Sequence, residues 1–137
     1  MSELVRFSVS IEKGLLERFD RHIGKDGYPT RSKAITDLVR DSLVKHEWRG
    51  GKEVAAAIII VYDHHKRGLS NRLTHIQHEY HGMVISSQHI HLDHDNCLEI
   101  IVVKGGPKKV IELSNRLKAT KGVKFGSLSA ASTGKEL

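Results

Sequence analysis

Residues Val54–Tyr62, with the sequence VAAAIIIVY, form the longest strongly apolar run of the chain. Apolar side chains occupy both alternating faces of this run, a pattern typical of a central β-strand covered on both sides. The run has nine residues, whereas a helix that spans a bilayer needs roughly 20. The sequence therefore predicts the centre of a sheet here, and neither a membrane segment nor a membrane partner.

The residues that follow predict a complete small domain around this strand. Hydrophobic periodicity and turn residues predict a helix over 68–81, two strands over 84–92 and 97–104, a helix from Pro107 and a last strand from Val123. The order βαββαβ is that of the split ferredoxin-like unit. We expect this domain to span residues 54–132 and to be followed by a frayed tail at 133–137.

Residues 1–49 predict a separate βαα domain, which makes the fold class α+β. Residues Leu4–Ile11 alternate as in a half-buried strand, and two amphipathic helices follow, the second running from about Thr30 to Trp48. Residues 50–53 contain a Gly-Gly pair and predict a linker. Such a small unit cannot cover its own strand edge, so we expect an intertwined dimer in which two copies of the strand pair.

The outward face of this paired ribbon carries Arg6, Ser8 and Ser10, and a two-stranded ribbon fits the major groove of double-stranded DNA. The alternative is an ordinary solvated strand face. The start of the second helix would present free backbone N–H groups to a phosphate. The residues concerned there are Thr30, Arg31 and Ser32.

Composition restricts the class of protein further. The chain has 22 Lys+Arg against 16 Asp+Glu, and its net charge of +6 permits nucleic acid as a partner without requiring it. One cysteine excludes a disulfide scaffold. Because the N-terminus also lacks the pattern of a signal peptide, we expect a cytoplasmic protein.

A histidine and cysteine cluster falls on the predicted hairpin. His89 and His91 are two residues apart on one strand and so share a face, and Cys97 lies across the turn from His91. Two imidazoles and a thiolate suit zinc, nickel or copper(II). The opposite residues are expected to pack on the helices; they are Val84, Ile90, Leu92, Leu98, Ile100 and Val102.

A fourth ligand is expected from the helix over 68–81. His78 lies roughly 160° from the apolar stripe of that helix, so it would meet the other three ligands on another protomer, which would also cover the second face of the sheet. Helical geometry alone does not choose His78 over His75, and His81 is a third candidate.

Two resemblances follow from these residues. The strand, the helices and the Arg-Ser-x-Ala-Ile segment from Arg31 resemble ribbon-helix-helix repressors. The arginine-serine ribbon together with the segments Gln77-His78, Gln88–His91 and Cys97–Ile100 resembles the nickel-responsive transcriptional regulators, over almost the whole chain.

The second resemblance implies a homotetramer, in which a core of ferredoxin-like (ACT-type) domains binds one nickel ion per subunit between two DNA-binding dimers. It implies a square-planar site built by His89, His91 and Cys97 of one subunit and His78 of another. Gln77 and Glu99 would orient these ligands, and Lys66 and Arg67 would contact DNA phosphates. These residues are all present in the sequence.

One position departs from that family. Its members commonly have an acidic residue where this chain has Lys33. In those members, that acidic residue and the acid matching Asp37 together help form an interdomain cation site. Lys33 puts that site in doubt, and we expect its positive charge to stand in for the cation.

The sequence therefore predicts a nickel-responsive repressor that binds a palindromic operator and controls nickel uptake genes, with no catalytic residues and no small-molecule substrate. Two other classes stay open. A zinc hydrolase would need an open coordination position and a general base, for which Glu99 is the candidate. A metal buffer or small-molecule sensor would have an incidental basic N-terminus and no preference for one DNA sequence.

Overall fold

The computed structural model describes residues 2–137, which divide into two compact units, residues 2–41 and Ser42–Leu137. Each unit is described by itself. The helices are α1 Lys13–Lys25, α2 Arg31–Gly50, α3 Leu69–Glu79 and α4 Pro107–Ala119. The strands are β1 Val54–Asp63, β2 Val84–His91, β3 Asn96–Gly105 and β4 Val123–Ala130. None of the helices within residues 2–137 is both long and apolar enough to cross a membrane.

Both helices predicted for residues 1–49 are confirmed, but the predicted strand Leu4–Ile11 is not formed. Residues 2–12 have no regular secondary structure, and the apolar side chains of Val5, Phe7 and Val9 are 79%, 71% and 65% exposed. The physical reason is that a strand takes its hydrogen bonds from a neighbouring strand, which the single chain does not offer. Pairing with a second copy stays a prediction.

The start of α2 is fixed by a local cap. The hydroxyl of Thr30 accepts a hydrogen bond from the backbone N–H of Lys33 at 3.1 Å, as expected for a threonine that precedes a helix. The helix ends later than predicted, at Gly50, and Gly51 takes a positive φ of 74° immediately after it. The chain therefore leaves the helical conformation within the predicted 50–53 linker.

The second unit has the predicted βαββαβ order. Its four strands form one antiparallel sheet in the order β2-β3-β1-β4, with β1 and β3 in the middle. Because β1 pairs along its whole length with β3, the end of β1 at Tyr62 lies beside Cys97. The topology is consistent with a ferredoxin-like domain.

The core lies between one face of this sheet and the helices α3 and α4. Burial alternates strictly along β1, so the set with Ile58 and Ile60 is fully buried while the set with Ile59 is half-buried. The helices contribute Leu69, Leu73, Ile76, Val110, Leu113 and Leu117 to the core. Within the single chain, β1 is thus covered fully on one face, and the prediction of cover on both faces is met only in part.

The hairpin of β2 and β3 presents the opposite face to that predicted. Cys97 and Glu99 are each only 2% exposed and lie on the helix side, whereas Ile90 and Leu92 are 37% and 53% exposed. Apolar residues occur on both faces of β3. Cys97 and Glu99 share a face with Ile101, and this is the face that packs in the core. Alternation fixed which residues share a face but could not say which face is buried.

The C-terminal tail contacts the start of the second unit. The indole N–H of Trp48 donates to the carbonyl oxygen of Ala131 at 2.8 Å. Lys52 forms an ion pair with Glu136 at 3.0 Å. These contacts involve part of the tail that the sequence predicts to be frayed, although exposed ion pairs of this kind stabilise little.

Candidate functional site

The hairpin brings three potential metal ligands to one face of the sheet. His91 lies directly opposite Cys97 in the strand pairing, and His89 lies opposite Glu99. The sulfur Sγ of Cys97 is 3.9 Å from Nδ1 of His89. One metal ion can reach both atoms, because typical metal–nitrogen and metal–sulfur distances sum to roughly 4.3 Å. The donor types therefore fit a borderline metal ion. Within residues 2–137 the ligand atoms of His89, His91 and Cys97 do not all lie within 4.8 Å of one another, so one ion would need the His91 ring to turn toward the other two.

A buried carboxylate lies beneath these ligands. Glu99 accepts a hydrogen bond from the Tyr62 hydroxyl at 2.8 Å through Oε1 and one from the Gln77 amide at 2.8 Å through Oε2. Nε2 of His89 is 3.6 Å from the same Oε1. Both oxygens act as acceptors, the arrangement expected of an ionised carboxylate. Glu99 thus contacts a candidate ligand, while Gln77 contacts Glu99.

Tyr62 is a residue of this network that the sequence reasoning missed. Its burial and its hydrogen bond to the Glu99 carboxylate raise the pKa of Tyr62 above the usual value, so the phenol keeps its proton and donates it. The same hydroxyl is 3.3 Å from Nδ1 of His89. In the sequence, Tyr62 is visible only as a polar aromatic residue at the end of an apolar strand. Its place beside the metal ligands follows from the pairing of Tyr62 with Cys97.

The candidate fourth ligands lie on or just after α3. His78 is exposed, next to the buried Gln77, and is not brought to the other three ligands within one chain. His75 lies 3.4 Å from Glu79, and His81 contacts the carbonyl oxygen of His78 at 3.3 Å. His78 is therefore exposed in the single chain, and its coordination of a metal ion in a second copy stays a prediction.

Another histidine, His64, borders the candidate ligands and was also missed. Its ring lies 4.7 Å from that of His91, edge to face, measured between centroids. Its Nδ1 is buried and has no hydrogen-bond partner among residues 2–137. No local pattern indicates this placement, because His64 follows β1 whereas His91 ends β2.

The residues expected to contact DNA are exposed, with one qualification. Arg6, Ser8 and Ser10 all lie in the exposed segment before α1. Arg31, however, makes two hydrogen bonds to the carboxylate of Asp20 at 2.8 and 2.7 Å. These bonds hold the pKa of Asp20 below its usual value. The charge of Arg31 is therefore already balanced within its own unit.

The second unit offers its own cationic surface. Lys66 and Arg67 are exposed before α3 and line an open surface cavity together with Arg72 and Lys121. Four cationic side chains around one cavity favour an anion such as a phosphate. Arg72 and Lys121 were not predicted from the sequence. Lys121 is distant from Lys66 and Arg67 along the chain, and Arg72 lies further along, within α3.

Lys33 makes a short ion pair with the residue implied in the cation site. Its ammonium nitrogen is 2.6 Å from Oδ1 of Asp37, and this bond lowers the pKa of Asp37. The Asp37 carboxylate is thus already paired with a cationic side chain.

Taken together, the fold and the donor set define a class of protein: a ferredoxin-like domain equipped for a borderline metal ion, joined to a small helical unit. Comparison with known proteins gives the same result. Residues 55–131 match the family described as the NikR C terminal nickel binding domain. The chain belongs to the family of nickel-responsive regulators.

Full-length relatives support this membership. A protein of Syntrophus aciditrophicus (strain SB) named as a nickel-responsive regulator is 54% identical over 134 residues, which cover 98% of both chains. One of Chlorobium limicola with the same name is 52% identical, covering 98% of this chain and all of its own. Among solved structures, the uncharacterized protein TM1266 from Thermotoga maritima shares the fold with a TM-score of 0.52 and 12% sequence identity. The alignment covers 58% of this chain and 98% of that protein.

The hydrolase alternative is wrong, as both the family of the chain and the surroundings of Glu99 indicate. The family consists of regulators and not of enzymes. Glu99, the candidate general base, is 2% exposed and is held by Tyr62 and Gln77, so water has little access to its oxygens.

Proposed function

We propose that this chain is a repressor that binds nickel between subunits and then binds an operator. The observation that carries the proposal is the placement of His89, His91 and Cys97 on one sheet face with Sγ of Cys97 3.9 Å from His89. His78 of a second copy would complete the site, with one ion per subunit. Nickel would supply a bridge between subunits that no single chain can make.

The chain's own residues prepare this site. The buried Glu99 carboxylate, held by Tyr62 and Gln77, lies against the His89 ring and favours one orientation of it. Cys97 is buried on the helix side of β3, so its sulfur has little freedom to move away from the imidazoles. A thiolate and imidazoles in this arrangement favour nickel or copper(II) over magnesium or calcium.

The N-terminal segment is proposed to form a ribbon-helix-helix dimer. Exposure of Val5, Phe7 and Val9 in the single chain supports this, since three alternating apolar side chains left in water call for a partner. In the paired ribbon Arg6 and its serine neighbours would face the major groove. Because Arg31 is bonded to Asp20, we expect the phosphate contact at this helix start to come from backbone N–H groups and hydroxyls.

Assembly connects the two activities. A homotetramer of two ribbon dimers around an ACT-type core predicts a palindromic operator with separated half-sites. Nickel can favour DNA binding only by binding the DNA-competent arrangement more tightly than the others. Lys66 and Arg67 would add phosphate contacts from the core. A regulator of nickel uptake genes that acts on DNA in this way belongs in the cytoplasm.

We also propose that the Lys33 ammonium replaces the interdomain cation of related proteins. The 2.6 Å pair with Asp37 supports this, because the positive charge is already in place. A potassium ion held by Asp37 in a crystal of the DNA complex would contradict the proposal.

Nickel titration followed by optical absorption and by gel shift tests the main proposal. A thiolate-to-nickel absorption band is expected in the wild type and its loss in Cys97→Ala, together with a sharp loss of nickel-dependent operator binding. His78→Ala should lose tight nickel binding, while His75→Ala, which changes an exposed histidine of the same helix, should keep it. Nickel-independent operator binding, or equal behaviour of the two histidine variants, would contradict the proposal.

A further inference from the structure

A second group of metal-binding side chains lies outside the site of Cys97. His65 follows β1, and His94 and Asp95 belong to the turn between β2 and β3, so two loops meet at the same end of the sheet. One ligand atom from each of these residues, a ring nitrogen or a carboxylate oxygen, lies within 4.8 Å of the others. All three side chains are exposed.

One backbone hydrogen bond joins the two loops, and carboxylate bonds order each loop internally. The N–H of His64 donates to the carbonyl oxygen of Asp95 at 3.2 Å, and the N–H of His65 donates to the Asp63 carboxylate at 2.9 Å. The turn is closed by the Asp93 carboxylate, which accepts from the N–H of Asp95 at 2.9 Å. The backbone therefore brings the two loops together, and the exposed side chains can still adjust around an ion.

Existing contacts already draw these side chains together. Nε2 of His65 lies 2.9 Å from the carbonyl oxygen of His94 and 4.0 Å from Oδ1 of Asp95, so a bound ion would take Nδ1 of His65 or replace that hydrogen bond. Within residues 2–137 no lysine or arginine forms an ion pair with Asp95, although Lys124 contacts the neighbouring Asn96 at 2.6 Å. Two nitrogen ligands of one ion are at most roughly 4.2 Å apart, so movements of about 1 Å by exposed side chains would close the group on an ion. Two imidazoles and a carboxylate suit borderline divalent ions.

We propose that His65, His94 and Asp95 form a second metal site, which takes a divalent ion such as Ni²⁺ or Zn²⁺ and leaves its remaining positions to water. The site binds more weakly than the site of Cys97, because it has three exposed ligands and no thiolate. It neighbours that site: the His64 ring lies 4.1 Å from the His65 ring and 4.7 Å from the His91 ring, between centroids.

Equilibrium dialysis of the full-length protein against nickel chloride, and separately zinc chloride, tests this. The wild type should bind two ions per chain, the second more weakly. His65→Ala and His94→Ala should each weaken the second event at least tenfold and leave the thiolate-to-nickel band unchanged. His22→Ala is the matched control, since His22 is exposed and 3.3 Å from Asp26 but has no third ligand in the described part of the chain.

Nitrogen NMR of histidine-labelled protein with zinc adds a direct reading of the ligands. The ring nitrogens of His65 and His94 should shift during the second event, and those of His22 should not. A single binding event in the wild type, a second event unchanged in both loop variants, or one equally lost in His22→Ala would overturn the proposal. Cys97→Ala separates the two sites: it should abolish the first event and keep the second, whatever becomes of the repressor proposal.

Discussion

Replacing Tyr62 by phenylalanine tests whether the buried carboxylate network stabilises the second unit. The substitution removes only the hydroxyl that donates to Glu99 at 2.8 Å and leaves the ring packed in the core. Glu99 is 2% exposed, so water cannot readily replace the lost donor. A hydrogen bond to a charged group contributes about 1.5–3 kcal/mol, and we expect the free energy of unfolding to fall by that amount.

Urea denaturation of the metal-free protein measures this change. With the denaturant dependence usual for small proteins, the loss corresponds to a shift of roughly 1 M in the unfolding midpoint. Tyr80→Phe is the matched control, because the Tyr80 hydroxyl also donates to a glutamate, Glu112, at 2.8 Å. Glu112 is 49% exposed, so water takes the place of the hydroxyl there.

The two variants should therefore differ clearly although each loses one hydroxyl. Equal midpoints for Tyr62→Phe and Tyr80→Phe would refute the reasoning, since the two bonds have the same length and differ chiefly in the burial of the glutamate; Glu112 also has Lys109 as a partner at 3.3 Å. The nickel affinity of the two variants provides a second measurement. Because the Tyr62 hydroxyl is also 3.3 Å from the His89 ring, Tyr62→Phe should weaken nickel binding while Tyr80→Phe should not.

Three further predictions concern other parts of the molecule. Arg6→Ala should lower operator affinity by about 1–3 kcal/mol in competition gel shifts and leave binding to unrelated DNA much less affected; an equal loss on both DNAs would indicate a phosphate contact only. Gly122→Ala should destabilise the protein by about 1–3 kcal/mol in thermal melts, because Gly122 has a φ of 104° and an added Cβ would lie 2.9 Å from a leucine methyl group. Its control, Gly24→Ala, adds a Cβ in open space within α1 and should stabilise by roughly 0.5–1 kcal/mol. The hydrogen bond from Arg31 holds the pKa of Asp20 below 3.8, so this pair stabilises the protein above that pH and loses its effect as the pH falls through the folded-state pKa. Asp20→Asn should accordingly lose less stability than the wild type when the pH falls from 6 to 3. If the urea midpoint falls by the same amount in the wild type and in the variant, the prediction is wrong.

The order of elements could be predicted because each carries its own local signal. The strand β1, the helix that starts at Pro107 and the glycine-bounded turns are all encoded by neighbouring residues. The N-terminal strand is the exception. Its alternation is local, but its hydrogen bonds need a second chain, so a single chain leaves residues 2–12 without regular structure.

The candidate site was predictable to the same extent. Spacing alone placed His89, His91 and Cys97 on one face, and the structure brings Sγ of Cys97 to 3.9 Å from His89. The group of His65 and His94 was not predictable, because its residues come from two loops that only the sheet brings together.

The α+β order of elements and the sharing of a strand face follow from periodicity, because periodicity is a property of neighbouring residues. Which face of β3 is buried depends on how the strand packs in the folded sheet. Both alternating sets of β3 contain apolar residues, and pairing with β1 turned the set of Cys97 and Glu99 toward the helices. The same pairing placed Tyr62 against Glu99, since the register between two strands depends on the packing of the whole sheet and not on either strand alone.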